Sequence, residues 1–472
     1  MINRSDDSGI PGRDCQSARE LPALFWYSQH TAVCFLAALV LVVIAVSYLT
    51  PPFQAPDEFN HVKRAYLLSE GKVYLGAVNG VTGGDIDSGL LAYMACFEKF
   101  PARYEEKMSQ RIARTSDRAK WTGEKKFSEL PNTAVYFPFA YAPQAAAFVI
   151  GRHSGLSIST TYILARALSL ATAIALLWFA LVLYPVPLPV LALFCMPSVI
   201  FQFGTTSLYA TSYAMCVLAI CLFMRAGDRQ FSFNGLMHFA LILSLFLLAT
   251  SRANLLGLTW LPAVLYWIRR SRWYLASAGT LLLLSVSWVA FAALTVKGIE
   301  TLGISPVGVL FYYLTHIGSF FSVIFSTITN RAILLGNWNM FVGILGWQDT
   351  PLDAKIYLAF AFLLGAAGIV SLQVHRDILL ERTHISLAIA AVLSTLLLLV
   401  LLLTTYTFHP AKVVDAIRGR YLFPMAIALG FALFDREMSL RRKKIGVSIL
   451  FLMMVLSVVS ATPKLIARYW TS

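Results

Sequence analysis

Charge is scarce in this sequence: Lys, Arg, Asp and Glu make up 13% of its 472 residues, against roughly 25% in soluble domains. With 58% hydrophobic residues and a mean hydropathy of +0.68, this excludes a soluble globular chain, a disordered one and a collagen-like one. The six cysteines form no CxxC pair and lie mostly in apolar runs, which argues against a disulfide framework or a thiolate metal site. No GxxxxGK[ST] loop is present, so ATP-driven transport has no support. His153, His316 and His409 stand singly, and a zinc site needs clustered ligands.

What the chain has instead is a succession of apolar runs, each near the ~20 residues that cross a bilayer. We expect an all-α polytopic integral membrane protein with about 11–13 transmembrane helices and one long outer loop after the first. The organisation reads as a flexible cytoplasmic tail over 1–29, a first transmembrane helix over 30–50, an outer loop with amphipathic helices over 51–134, and a polytopic domain over 135–462. Pro51-Pro52 rather than a small-residue cleavage site follows the first run, so it is expected to remain as a helix. Later candidate spans are 161–183, 188–203, 207–224, 234–250, 253–268, 274–296, 356–374, 385–406, 421–434 and 445–461. The run 135–151, broken by Pro138 and Pro143, and the aromatic and polar stretch 307–347 read as re-entrant or interfacial.

A net charge of +14 would suit a nucleic-acid binder, but in a polytopic chain it is first explained by short cytoplasmic loops, and no nucleic acid is expected. Four basic clusters follow spans: Arg225/Arg229, Arg269/Arg270/Arg272, Arg376/Arg382 and Arg436/Arg441/Arg442/Lys443/Lys444. If all four are cytoplasmic, the spans between them pair off, the N-terminus is cytoplasmic, and 135–151 returns to the side from which it came. Arg252, Asp349, Arg418 and Arg420 then gather on the outer face, with Arg166 just inside a span, where it either faces a wet cavity or snorkels to the headgroups.

The stretch most suited to chemistry is Pro56-Asp57-Glu58-Phe59-Asn60-His61-Val62-Lys63-Arg64, directly after the first span. Proline with two carboxylates marks a helix start. On that helix Asp57, His61 and Arg64 share a face, and Glu58 neighbours His61. Such a group could supply a general base and an anion clamp, or simply cap an amphipathic helix lying on the bilayer. Arg418-Gly419-Arg420-Tyr421 could present two guanidinium forks to a phosphate, with the glycine admitting close backbone approach, or anchor the chain at the interface. Arg252 could contact a lipid phosphate or close a hairpin. Trp347 reads as an aromatic-belt residue beside Asp349 at the rim. Arg103, Lys107, Arg111 and Arg114 would line one helix face, and Asp85 with Asp87 hints faintly at calcium.

Pro-Asp-Glu-x-x-His-x-x-Arg-Ala-Tyr at 56–66 resembles a bacterial family of polytopic membrane proteins, domain of unknown function 2142. So do Tyr136-x-Pro138-x-x-Tyr141-x-Pro143-Gln144 followed by Arg166, Gly343-x-x-Gly346-Trp347-x-Asp349-Thr350-Pro351, and Arg418-Gly419-Arg420-Tyr421-x-x-Pro424. The resemblance covers about residues 30 to 460. That family is similar to GT-C glycosyltransferases, which take a sugar from a polyprenyl-phosphate carrier. The resemblance implies a bacterial inner-membrane enzyme acting at the outer face, with Asp57 or Glu58 as catalytic carboxylate, His61 orienting it or binding phosphate, and Arg64, Arg166, Arg418 and Arg420 on the leaving phosphate. Its partners would be a polyprenyl-phosphate-linked sugar, the lipid bilayer and an envelope glycan acceptor. No cofactor is certain, and the resemblance leaves room for a divalent metal. One departure stands out: Thr205-Thr206-Ser207-Leu208-Tyr209-Ala210-Thr211-Ser212 lacks the family's usual acidic residue, which implies metal independence, an altered substrate or weak catalysis. A transporter or flippase of lipid-linked sugars, or a non-catalytic assembly protein, is the competing reading.

Overall fold

The computed structural model describes residues 27–299, 305–372, 378–433 and 438–471. Most of the expected tail over 1–29, together with Arg376 and Arg436, lies outside them.

The described chain is an all-α membrane protein. Seven of its helices are long and apolar enough to cross a bilayer: Gln29–Leu49, Ile158–Leu183, Tyr209–Gly227, Trp273–Thr295, Ala354–Ser371, Arg382–Thr405 and Leu440–Tyr469. The pair Pro306–Thr315 and Ile317–Thr329, bent by 106°, would make an eighth if counted as one span. This is fewer long helices than the hydrophobic runs suggest, because several runs are broken. The run 188–203 becomes Leu188–Phe194 and Pro197–Phe203. Pro197 disfavours helix at Met196 and removes an amide donor. Every residue of both short helices is buried, and irregular backbone at membrane depth is tolerated only where protein covers it. Likewise 253–268 becomes a 3-10 turn, Ala253–Leu258, followed by Leu261–Arg269 with Pro262 in its first turn.

The bundle has two distinguishable ends. At one, Arg225 donates to Leu183 O, Arg269 to Ala226 O and Asp228 O, Arg229 to Ile268 O, and Arg442 to Leu372 O. The basic clusters therefore converge on one end, as far as they are described. At the other end, Trp470 Nε1 donates to Leu49 O at 2.8 Å, so the first and last helices run in the same direction. Between the ends, Tyr209–Gly227 is the most enclosed of the long helices, with 89% of its apolar window buried.

The segment after the first helix folds over this second end. It contains the helices Glu58–Ser69, Ser88–Ala95 and Gln110–Asp117 and also an antiparallel sheet, in which Val81–Asp87 pairs with Ala77–Val78 and with Lys125–Glu129. The sheet was not expected: its central strand, Val-Thr-Gly-Gly-Asp-Ile-Asp, has too little alternation to register as one. The basic face expected over 103–114 is not continuous, since the helix spans only Gln110–Asp117. Lys107 instead donates to Ala467 O and Arg468 O at the end of the last helix, where a cation meets free carbonyls and the negative dipole end. Asp87 accepts from the amides of Gly89, Leu90, Thr122 and Gly123, so its carboxylate is consumed in closing the loop.

Helix Ala142–His153 stays at this second end. Tyr141, just before it, meets His61, and Arg152 near its close donates to Ser69 and pairs with Glu70. It thus runs alongside Glu58–Ser69 rather than through the bundle.

Candidate functional site

The helix that begins at Glu58 is preceded by Asp57 in a left-handed conformation, φ 65°. A non-glycine residue there is strained and persists only where its surroundings hold it. The strain separates the two adjacent carboxylates. Glu58 turns inward and its side chain is fully buried. Its Oε1 accepts from the Tyr162 hydroxyl at 2.6 Å, Thr206 N at 3.0 Å and Thr206 Oγ1 at 2.9 Å, while Oε2 accepts from Ala55 N at 3.1 Å. Arg166 stands 3.8 Å from it. Asp57 turns the other way, and its side chain is 39% exposed. Its Oδ1 accepts from Asn132 Nδ2 at 3.1 Å and its Oδ2 faces Arg420 at 3.4 Å. Asn132 is itself held by Asn60 at 2.7 Å.

Arg166 neither snorkels nor opens into a cavity. It donates to Tyr162, Ser47 O, Thr50 O and Pro51 O, and so closes the C-terminal carbonyls of the first helix, which otherwise lack partners. Arg64 is likewise withdrawn from the outer surface. It is buried, donates to Lys72 O at 3.0 Å and Val73 O at 2.8 Å, and burial draws its pKa down to about 10.

His61 is also buried and shares a 2.8 Å hydrogen bond with the Tyr141 hydroxyl. Desolvation, reinforced by the charges of Arg252 and Arg420, pushes its pKa down to about 3. It is therefore neutral at physiological pH and serves as a scaffold for the tyrosines around it, Tyr136 stacking on it at 6.1 Å.

Around Asp57 the bundle brings together residues from five distant segments. Arg420 donates through Nε to the Tyr209 hydroxyl at 2.7 Å and through a terminal nitrogen to Asp57. Its other terminal nitrogen is buried without a hydrogen-bond partner. Arg252 lies over the face of the same Tyr209 ring, 4.3 Å from its centroid, and no hydrogen bond from its guanidinium appears among the described residues. Two cations thus share one phenol ring, held by its hydroxyl and by cation–π attraction. Arg418 is partly buried, and its guanidinium has no hydrogen-bond or ionic partner among the described residues, while its carbonyl accepts from Tyr421 N. Gly419 between the two arginines packs against helix Arg331–Gly343, where a Cβ would stand 2.3 Å from Phe341 N. That glycine thus admits a helix backbone rather than a ligand.

Asp349 belongs to a separate lock. Arg468, fully buried, contacts Asp349 Oδ2 through Nε at 3.1 Å and a terminal nitrogen at 2.9 Å, and also donates to Phe100 O and Glu106 O. Gly346, at φ 61°, leaves room for the carboxylate, since a Cβ there would meet Asp349 Oδ1 at 2.3 Å. Trp347 donates to Phe53 O at 2.9 Å. The hairpin in which Ile344–Leu345 pairs with Thr350–Pro351 is thereby tied to the segment after the first helix and to the last helix.

Sequence reading missed Tyr209, Asn132 and Arg468. Tyr209 lies in the very turn singled out for its missing carboxylate, so its signal was present. Arg468 had none, being the last arginine of an apolar helix. Asp57 is the one carboxylate of the cluster. Among the described residues no group of three or more His, Cys, Asp or Glu side chains converges. The arrangement offers one accessible base beside donors suited to an anion.

A family model described as predicted membrane protein (DUF2142) matches residues 39–429. No curated protein and no solved structure matches the chain.

Proposed function

The chain belongs to the predicted membrane proteins of DUF2142, a description that assigns no reaction, and on that premise we propose a GT-C-type glycosyltransferase acting at the bundle end that carries Asp57. The donor would be a polyprenyl-phosphate-linked sugar and the acceptor a hydroxyl of a cell-envelope glycan. The observation that supports this reading is the pair Arg252 and Arg420 on Tyr209, with buried donor capacity left over on Arg420, next to the exposed carboxylate of Asp57.

In this reading Asp57 takes the proton of the acceptor hydroxyl as its oxygen bonds to the anomeric carbon. The bond from that carbon to the carrier phosphate breaks, and the phosphate leaves with the electron pair. Arg252, Arg420 and Arg418 neutralise the charge that develops on it, which counts for more in a water-poor site. Glu58 has no accessible oxygen for the same task and acts in the scaffold. The cluster sits at one end of the bundle, whereas transporters place their ionisable sites near the midplane, which favours chemistry over translocation.

The basic clusters converge on the end opposite Asp57, and short basic loops favour the cytoplasm. We accordingly place Asp57 at the outer face of a bacterial inner membrane, with the N-terminus inside.

The experiment is Asp57→Asn in cells, with envelope glycan composition as the readout. A glycan modification should disappear while the protein still reaches the membrane. An unchanged glycan profile would sink the assignment.

A further inference from the structure

Each carboxylate oxygen of Asp57 has its own donor. Arg420 faces Oδ2 at 3.4 Å, and Asn132 Nδ2 donates to Oδ1 at 3.1 Å. Asn132 in turn accepts at its own Oδ1 from Asn60 Nδ2 at 2.7 Å. We infer that Asn132 is a positioning residue for Asp57 and that Asn60 sets its orientation, an inference that rests on the role proposed for Asp57.

The direction of this relay follows from its chemistry. An ionised carboxylate can only accept, so the end of Asn132 that meets Asp57 must be its NH2 group. The carbonyl end of Asn132 then faces Asn60, which must present an NH2 group of its own, and that is the arrangement found. An unsupported amide can turn over and set its oxygen against the carboxylate; the hydrogen bond from Asn60 opposes that turn. The local fold fixes both members. Asn60 lies in the first turn of helix Glu58–Ser69, where its amide donates to Asp57 O, and Asn132 follows the proline that opens the short helix Pro131–Ala134. Thr133 Oγ1 donates to Asn60 O at 3.2 Å, which joins the two turns.

The arrangement leaves the carboxylate usable. A carboxylate has about four lone-pair sites, and the two donors take one on each oxygen, so acceptor capacity remains on a partly exposed side chain. Asn132 is also neutral, and it therefore fixes Asp57 while leaving the carrier phosphate to the guanidiniums of Arg252 and Arg420. Both asparagines are half-buried, so water can enter when either is shortened, and truncation leaves no enclosed void.

The experiment follows, in cells, the glycan modification that Asp57→Asn removes, together with the membrane level and unfolding temperature of each variant. A misplacement of about 1 Å is worth about a hundredfold in rate, so Asn132→Ala should lower the modification rate by up to about that factor with little loss of stability. Asn60 supplies the decisive comparison. Asn60→Asp keeps the shape but can only accept, so it turns Asn132 over and presents the amide oxygen to Asp57; Asn60→Ala leaves Asn132 free to keep its NH2 group on the carboxylate. Asn60→Asp should therefore be the less active of the two, whereas a packing role would make the truncation the worse. Lys63→Gln changes the net charge of the same helix by the same amount and should stay active. Asn132→Asp adds a pH signature: the introduced carboxyl donates to Asp57 only when it carries a proton, so its activity should rise in more acidic medium while that of the unaltered chain does not. With Asp57→Asn inactive, full activity in Asn132→Ala, an Asn60→Ala no better than Asn60→Asp, or an equal loss in Lys63→Gln would overturn the inference and leave the role of Asp57 standing. An unchanged glycan profile in Asp57→Asn would remove both. Should Asn132→Ala fail to reach the membrane, the two Asn60 variants still decide.

Discussion

A terminal nitrogen of Arg420 lies 3.4 Å from Oδ2 of Asp57, across 363 positions of sequence. The contact closes the bundle on itself, because Asp57 follows the first long helix and Arg420 precedes one of the last. It also sets the chemistry of the site. Arg420 is nearly enclosed, with its side chain 9% exposed, and is fixed by the Tyr209 hydroxyl, so it holds the carboxylate from one side while leaving its outer edge open. In the proposed reaction, a carboxylate pinned in this way would need little reorganisation when an acceptor hydroxyl arrives.

The adjacent carboxylates should respond to substitution in opposite ways. Asp57→Asn removes a partly exposed acceptor and should leave the unfolding temperature within a few degrees of the unaltered chain, while lowering turnover by roughly 10²–10⁴, the range for a general base. Glu58→Gln leaves buried donors mismatched around an amide, and should cost about 1–3 kcal/mol for each group left unpaired. Thermal unfolding and glycan analysis on the two variants separate the roles. Stability loss in Asp57→Asn with none in Glu58→Gln would reverse the assignment.

Arg420→Lys tests the fork. Lysine keeps the charge but cannot reach both the Tyr209 hydroxyl and Asp57 as a planar guanidinium does. A loss of activity approaching that of Arg420→Gln, with membrane levels unchanged, is expected. Full activity in Arg420→Lys would mean that charge alone suffices. Tyr209→Phe should fall between them, because the ring still carries Arg252 and only the hydroxyl contact is lost.

The pKa of His61, pushed down to about 3, makes a statement about acid. The unfolded chain takes up a proton near the ordinary value of about 6.5, and the folded chain does so only near 3. Stability is therefore fully present above about pH 6.5 and is lost as pH falls toward 3, at about 1.4 kcal/mol per pH unit. His61→Gln should flatten that part of the stability profile, and its activity profile should show no limb near pH 6.5 that the unaltered chain lacks. Unfolding curves at half-unit pH steps in detergent would measure the slope.

Much of the fold was legible because a bilayer leaves a chain few choices: long apolar runs with basic ends read as helices and as two ends of a bundle. The breaks were not legible. Pro197 sits in a run as apolar as any other, and only the protein packed around it reveals that the backbone can be irregular there. The site was half legible. Asp57, Arg252 and Arg420 stood out as charges beside spans, yet nothing in the spacing distinguishes Asp57 from Glu58. Only the left-handed backbone at Asp57 sends one carboxylate outward and the other inward. Arg64 and Arg166 looked equivalent to Arg420 in sequence, but their guanidiniums are taken up by backbone carbonyls, and a carbonyl partner leaves no trace in a residue pattern.

The orientation has its own test. Lys63 lies on the helix that starts at Glu58, and Lys443 lies at the start of the last helix. Cysteine placed at these two positions should react with a membrane-impermeant reagent from opposite faces of intact cells and inverted vesicles, Lys63→Cys from outside and Lys443→Cys from inside. Labelling of both from one face would contradict the end-to-end course of the first and last helices. Labelling from opposite faces but in the reverse sense would keep the bundle and move the Asp57 cluster to the cytoplasm. There the donor would have to be presented by the inner leaflet, and a carrier already flipped outward could not be the substrate.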